Sequence, residues 1–199
     1  MNIVIIKYNA GNIESVNNAL NRLGANAEIT ADYEKIKSAD KVIFPGVGEA
    51  STTMNYLKKH GLDKLIVSLK QPVLGICLGL QLMCSHSEEN NTPCLGIFEE
   101  KVKRFIPKIG EEYITKVPHM GWDSISGLKS SIFSKEHENR YVYFVHSYYA
   151  DTGKHTAATC NYIVPFSAAL NKENFYATQF HPEKSGSIGA KILESFLNI

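Results

Sequence analysis

The first half of the chain alternates between two hydrophobic periods, and this alternation constrains the fold more than any other feature. Short apolar runs at Ile3 to Lys7, Lys41 to Phe44 and Val73 to Ile76 have the length and bounding turns of buried strands. Between them lie stretches with apolar residues at helical spacing. The first contains Ile13, Val16, Ala19, Leu20 and Leu23 and stops at Gly24; the next are Ser51 to Lys59 and Leu62 to Leu69, the latter broken by Gln71-Pro72. Glu28 to Thr30 is one more short extended segment. Strands alternating with helices predict an α/β fold, a mainly parallel sheet with helices on both faces. The second half changes character. Runs near Phe98 to Phe105, Tyr113 to Val117, Tyr141 to Val145, Ala157 to Cys160 and Tyr176 to Phe180 carry strand patterning with little helix between them. They predict antiparallel additions to the same sheet, closed by a helix from Ser187 to Leu197. No repeat or linker interrupts the 199 residues, so one domain spanning 1–199 is expected.

Several function classes are disfavoured by composition. Lys plus Arg total 21 against 20 Asp plus Glu, which gives no electrostatic reason to expect nucleic acid or an anionic membrane as partner. No apolar run approaches the roughly 20 residues of a membrane helix, and the N-terminal run lacks the basic flank and cleavage site of a signal peptide. The four cysteines form no CxxC pair, so reduced thiols, a cytoplasmic location and no metal centre are expected. Neither a GxxxxGK[ST] loop nor a GxGxxG run is present, so no nucleotide cofactor is expected.

Chemistry is concentrated in three places. Gly75-Ile76-Cys77-Leu78-Gly79 leaves an apolar strand and enters a helical segment. This is the nucleophile-elbow pattern with cysteine at its tip, a tight turn that lifts the side chain clear of the sheet. The helix start favours a thiolate, and the Leu78 N–H points where an oxyanion forms when a carbonyl is attacked. A buried structural cysteine is the plainer alternative for Cys77 taken alone. A base is supplied by Gln179-Phe180-His181-Pro182-Glu183. Pro182 favours extended geometry at His181, and residues two apart in an extended segment share a side, which lets Glu183 orient the imidazole. Finally, Pro45-Gly46-Val47-Gly48 is a glycine-rich strand exit able to bring backbone N–H groups close to a substrate carbonyl.

PGVG, GICLGLQL and FHPEKS, in this order and spacing, resemble the class I glutamine amidotransferases over nearly the whole chain. Val47 in PGVG, the stretch Pro118-His119-Met120-Gly121-Trp122, the stretch Tyr143 to Tyr148 and Lys184 after HPE resemble one branch in particular. That branch comprises the glutaminase subunits of imidazole glycerol phosphate synthase, in histidine biosynthesis. The resemblance implies a flavodoxin-like fold and a Cys77-His181-Glu183 triad acting on L-glutamine. It also implies an oxyanion hole from Val47 or Gly48 together with Leu78, and glutamine contacts at Gly46, Gln81, Glu89, Ser147 and Tyr148. Either Glu88 or Glu89 has the charge to bind the α-ammonium group. The implied partner is a (β/α)8-barrel cyclase subunit that receives the ammonia through a channel, with Asn12, Met120, Trp122, Tyr143 and Lys184 facing it. A paralogous subunit feeding ammonia to a different synthase is the second reading. The family usually has two serines after HPEK, whereas Ser185-Gly186 follow here.

Overall fold

The computed structural model describes residues 1–8, 12–107, 110 and 115–199. In the first half the elements are β1 Ile3–Ile6, α1 Ile13–Arg22, β2 Ala27–Thr30, α2 Tyr33–Ser38, β3 Lys41–Gly46, α3 Ala50–Lys59, α4 Leu62–Ser68, β4 Val73–Cys77 and α5 Leu78–Met83. Two short strands follow, β5 His86–Ser87 and β6 Thr92–Pro93, then β7 Lys101–Arg104, β8 His119–Ile125 and β9 Arg140–His146. The chain ends with β10 Tyr148–Ala150, β11 Thr156–Asn161, β12 Pro165–Lys172, β13 Phe175–Thr178 and α6 Gly186–Leu197.

Among the described residues the main sheet has seven strands in the order β11-β12-β13-β4-β3-β1-β2. From β13 to β2 every pairing is parallel. Residues of β1, β3 and β4 are buried throughout, as expected of parallel strands covered on both faces. Their side chains alternate between two cores. Val4, Ile6, Val42, Phe44 and Val73 pack with Ile36 of α2, Met54 and Leu57 of α3 and Leu62 and Ile66 of α4. Ile3, Ile5, Ile43, Leu74 and Ile76 pack on the other side with Val16 and Leu20 of α1 and Ile192, Leu193 and Phe196 of α6. Each fully buried Leu or Ile contributes about 1.5–3 kcal/mol of burial free energy, so the two-faced pattern holds the sheet between its helices.

Five elements differ from expectation. The run Tyr176 to Phe180 does join the main sheet, but β13 lies parallel to β4 and antiparallel only to β12. Lys101–Arg104 belongs to a separate four-stranded sheet in the order β10-β7-β5-β6, and Tyr141 to Val145 to a separate β8–β9 ribbon. The period of a strand shows which face is buried, not which neighbour it pairs with. Strand β12 is absent from the sequence reading because Ser167-Ala168-Ala169-Leu170 lacks the β-branched residues that mark strands. Helix α2, missed from the sequence, has six residues and is capped by the Asp32 carboxylate, which accepts from the Lys35 N–H; only its Ile36 is buried. In the expected Tyr113 to Val117 strand, Tyr113 and Ile114 lie outside the described residues, as does Gly11 before α1.

Parallel pairing places Gly46 of β3 level with Cys77 of β4 and Thr178 of β13 level with Ile76. The three chemistry-bearing segments therefore leave the sheet side by side, at the carboxyl ends of adjacent parallel strands. Open α/β sheets bind ligands there.

Candidate active site

Cys77 has φ 55° and ψ −107°, a conformation L side chains rarely adopt, at the junction of β4 and α5. Holding a non-glycine residue there costs about 1–3 kcal/mol, supplied by the packing around it. Gly79 allows the close approach: a Cβ at that position would collide with the Phe44 carbonyl of β3. Leu78 opens α5, so its N–H is among those with no partner inside the helix. The Cys77 thiol sits at the edge of a cleft of about 330 Å³ that it lines with Val47, Gly48, Leu78, Gln81 and His181. Gly48 has φ 112°, a backbone conformation only glycine adopts freely.

His181 and Glu183 meet by a route different from the expected strand alternation. His181 is extended (φ −95°, ψ 96°), but Pro182–Lys184 is a turn of 3₁₀ helix, which swings Glu183 back under the imidazole. His181 Nδ1 donates to Glu183 Oε1 at 2.7 Å, with both side chains buried. Because a carboxylate only accepts, Nδ1 carries the proton of that bond, which leaves Nε2 as the ring nitrogen not engaged by Glu183. Nε2 is buried without a hydrogen bond of ordinary geometry, so its contact with the thiol is loose, as is common before substrate binds. Burial, the largest single influence, lowers the imidazole pKa; interactions with Cys77 and Glu183 together outweigh it and raise the value to about 10.

The far wall of the cleft comes from Glu89, Ser147 and Tyr148 together with Pro118, Val145 and His146. Glu89 Oε2 accepts the Ala50 N–H at 2.7 Å, at the start of α3, and burial raises its pKa. Glu88 is exposed and instead accepts the Arg104 N–H. Only the second member of the acidic pair therefore lines the cleft. Gly46 does not line it. That glycine packs behind the cleft, where a Cβ would come within 2.5 Å of the Tyr8 hydroxyl and 2.9 Å of Leu78 Cβ.

The β8–β9 ribbon forms the outer rim. On β8, Met120 and Trp122 are 63% and 54% exposed, unusual for large apolar side chains. Tyr143 on β9 packs its ring edge-on to Trp122, and its carbonyl accepts the His181 N–H at 2.9 Å. The Tyr143 N–H donates to Ser185 Oγ, so the ribbon is bonded directly to the turn that carries His181, Glu183 and exposed Lys184. The side-chain N–H of Asn12, a residue expected at the interface, donates to Glu183 Oε1 at 2.6 Å.

The sequence profile described as glutamine amidotransferase class-I matches residues 4–199. This chain belongs to that family. Among its relatives, the imidazole glycerol phosphate synthase subunit HisH of Bacteroides fragilis (strain YCH46) is 61% identical over 199 residues, covering 100% of both chains. The protein of the same name from Haemophilus influenzae (strain ATCC 51907 / DSM 11121 / KW20 / Rd) is 48% identical over 198 residues, covering 99% of this chain and 97% of that one. Among solved structures, a glutamine amidotransferase superposes with a TM-score of 0.72 at 18% identity, covering 98% of this chain and 97% of its own. A glutamine amidotransferase from Thermotoga maritima gives 0.62 at 16% identity, covering 100% and 83%. These two likenesses speak to the fold.

In this amidotransferase the raised imidazole has a measurable consequence. His181 should stay protonated well above neutrality, so the alkaline limb of kcat/KM for glutamine hydrolysis should fall near pH 10 and not near 6.5. A limb near 6.5 in a pH–rate profile would contradict the pairing. Stability should follow the same sign. A value raised in the folded state gives stabilisation that is complete below about 6.5 and lost as pH climbs through about 10. Pro118, Val145 and His146 belong to the cleft without having been singled out as site residues, although the Pro118–Trp122 and Tyr143–Tyr148 stretches that contain them stood out in the sequence. The tie from Asn12 to Glu183 spans 171 residues and had no local signal.

Proposed function

We propose that the chain, acting as one domain, is the glutaminase subunit of an imidazole glycerol phosphate synthase and delivers ammonia to a cyclase subunit. One observation carries the chemistry. Cys77, the unpaired Nε2 of His181 and the PGVG strand exit meet at one cleft, at the ends of adjacent parallel strands. The pathway rests on full-length relatives of that name.

The Cys77 thiolate attacks the side-chain carboxamide carbon of glutamine. Backbone N–H groups of Leu78 and of Val47 or Gly48 take the charge that develops on the oxygen. As the C–N bond breaks, His181 Nε2 passes its proton to the leaving nitrogen, which departs as ammonia and leaves a thioester on Cys77. Water then attacks the thioester and gives a proton to Nε2. Breakage of the C–S bond frees glutamate and restores the thiolate–imidazolium pair, while Glu183 keeps the imidazole in one orientation throughout. Glu89 and the free Oε1 of Gln81 supply acceptors for the α-ammonium group of glutamine. The backbone at Ser147 and Tyr148 lines the same cleft, with the Tyr148 carbonyl accepting from Gln81 Nε2.

Ammonia released to water would become mostly ammonium at neutral pH, so the product has to pass directly to the consumer. Met120, Trp122, Tyr143 and Lys184 form the docking face for a (β/α)8-barrel partner, with tryptophan a frequent hot spot. Asn12 joins that face and also donates to the Glu183 carboxylate. The substrate and reaction class fit a cytoplasmic enzyme, and among the described residues no helix is long and apolar enough to cross a membrane.

Purified chain mixed with the cyclase subunit and its ribonucleotide substrate should form imidazole glycerol phosphate with glutamine as nitrogen source. If ammonia supports synthesis but glutamine does not, the assignment fails. Glutamine hydrolysis by the chain alone should be slow and should rise by about 5–150-fold on addition of ligand-bound cyclase, the usual span of allosteric coupling. Gly48, at its positive φ, is placed to rearrange so that an N–H faces the oxyanion. Full activity in the isolated chain would argue against such gating.

A further inference from the structure

Gln179 is fully buried beside the nucleophile, yet the mechanism above does not use it. Its position follows from topology: Thr178 pairs with Ile76 across β13 and β4, so the next residue on each strand, Gln179 and Cys77, emerge together. Gln179 Nε2 lies 3.7 Å from Cys77 Sγ, within hydrogen-bond range for sulfur.

Which end of that amide meets the sulfur is decided by a chain of bonds beginning at a backbone carbonyl. The Tyr148 carbonyl can only accept, so the Gln81 atom 2.8 Å from it is Nε2. The second hydrogen of the same nitrogen points at the Gln179 side chain 3.0 Å away, and only an oxygen can receive it. Gln179 Oε1 is thereby fixed toward Gln81, leaving its N–H donors toward Cys77. Tyr148 is itself held by His146, whose Nδ1 donates to the same carbonyl at 2.7 Å, and His119 Nδ1 lies 3.2 Å from His146 Nε2. A flip of Gln179 would set nitrogen against nitrogen at Gln81, in a place too buried for water to repair it.

We infer that Gln179 takes part in the reaction as a fixed N–H donor to the Cys77 sulfur, its donor end set by Gln81 and the Tyr148 carbonyl. A donor aimed at the sulfur stabilises the thiolate over the thiol and holds it in place for attack. The inference rests on Cys77 being the nucleophile, as proposed above.

The test is alkylation of the full-length chain by iodoacetamide, followed at the Cys77 peptide by mass spectrometry across a pH series. Cys94, half-buried and pushed up to about 11 chiefly by burial, serves as internal reference. Wild-type Cys77 should react faster than Cys94; if it does not, the nucleophile reading itself fails. Gln179→Met keeps the side-chain length and removes the donor. It should slow Cys77 alkylation at neutral pH by about tenfold, the effect of losing a hydrogen bond to a charged group. The pH profile should move upward, while a purely structural role would alter melting and leave that profile in place. Gln179→Glu retains an oxygen for Gln81 Nε2 and serves if the methionine variant does not fold; its carboxylate should slow alkylation further. Fast wild-type alkylation matched by either folded variant, with an unmoved profile, overturns the inference and leaves the nucleophile reading intact.

Discussion

Cys77→Ala is expected to abolish glutamine-dependent synthesis, by at least about 10⁴-fold, while ammonia-dependent synthesis by the same complex continues. The size follows from the chemistry: without sulfur there is no thioester, and the remaining donors can only polarise the bound amide. Alanine also has a Cβ, so the strain at φ 55° is unchanged. The lost contacts are weak, a 3.9 Å approach of Sγ to the Val145 carbonyl and the 3.7 Å approach of Gln179. Stability should change by only about 1 kcal/mol, the centre of the range for point substitutions. Parallel assays with glutamine and with ammonium salts separate the two half-reactions. Surviving glutamine turnover in the alanine variant would place the nucleophile elsewhere.

The second large effect is on folding. Gly79→Ala adds one methyl group, but that methyl meets the backbone oxygen of Phe44 and not the movable end of a side chain. Neither partner can yield cheaply: β3 is paired along its length with β1 and β4, and α5 follows directly from the strained residue Cys77. Overpacking usually costs about 1–3 kcal/mol, and a clash with paired backbone belongs at or beyond the upper end. A destabilisation of about 3 kcal/mol or more is expected, a large part of the 5–15 kcal/mol typical of a whole domain. Urea unfolding should show a much lower midpoint, or no folded protein at all. A wild-type midpoint would mean that α5 can lift from β3, and the elbow would then be softer than described.

Much of the site was legible because its parts are local. The elbow needs glycines at fixed offsets around Cys77, Pro182 biases the backbone of His181, and PGVG ends a strand; each constraint acts within a few residues. Parts built from distant segments were not legible. Glu183 reaches His181 through a 3₁₀ turn and not along a strand, because the chain bends at Pro182. Asn12 bonds to Glu183 from the other end of the sequence, so a residue expected at an interface also holds the carboxylate of the proposed triad. Glu89 rather than Glu88 lines the cleft because its carboxylate turns back to the Ala50 N–H.

The alternation of apolar runs with helical spacing, read from the sequence alone, determined a parallel sheet between helices, and three short motifs determined the family and pointed to the chemistry proposed for Cys77. Hydrophobic periodicity and local turn chemistry are properties of neighbouring residues, so they survive in one dimension. The order of the strands, the separation of the β8–β9 ribbon from the main sheet and the direction of Gln179 were decided only by tertiary structure. Pairing partners and the orientation of a buried amide depend on which groups distant strands bring together. In this protein a carbonyl at Tyr148 sets the donor that meets a sulfur at Cys77.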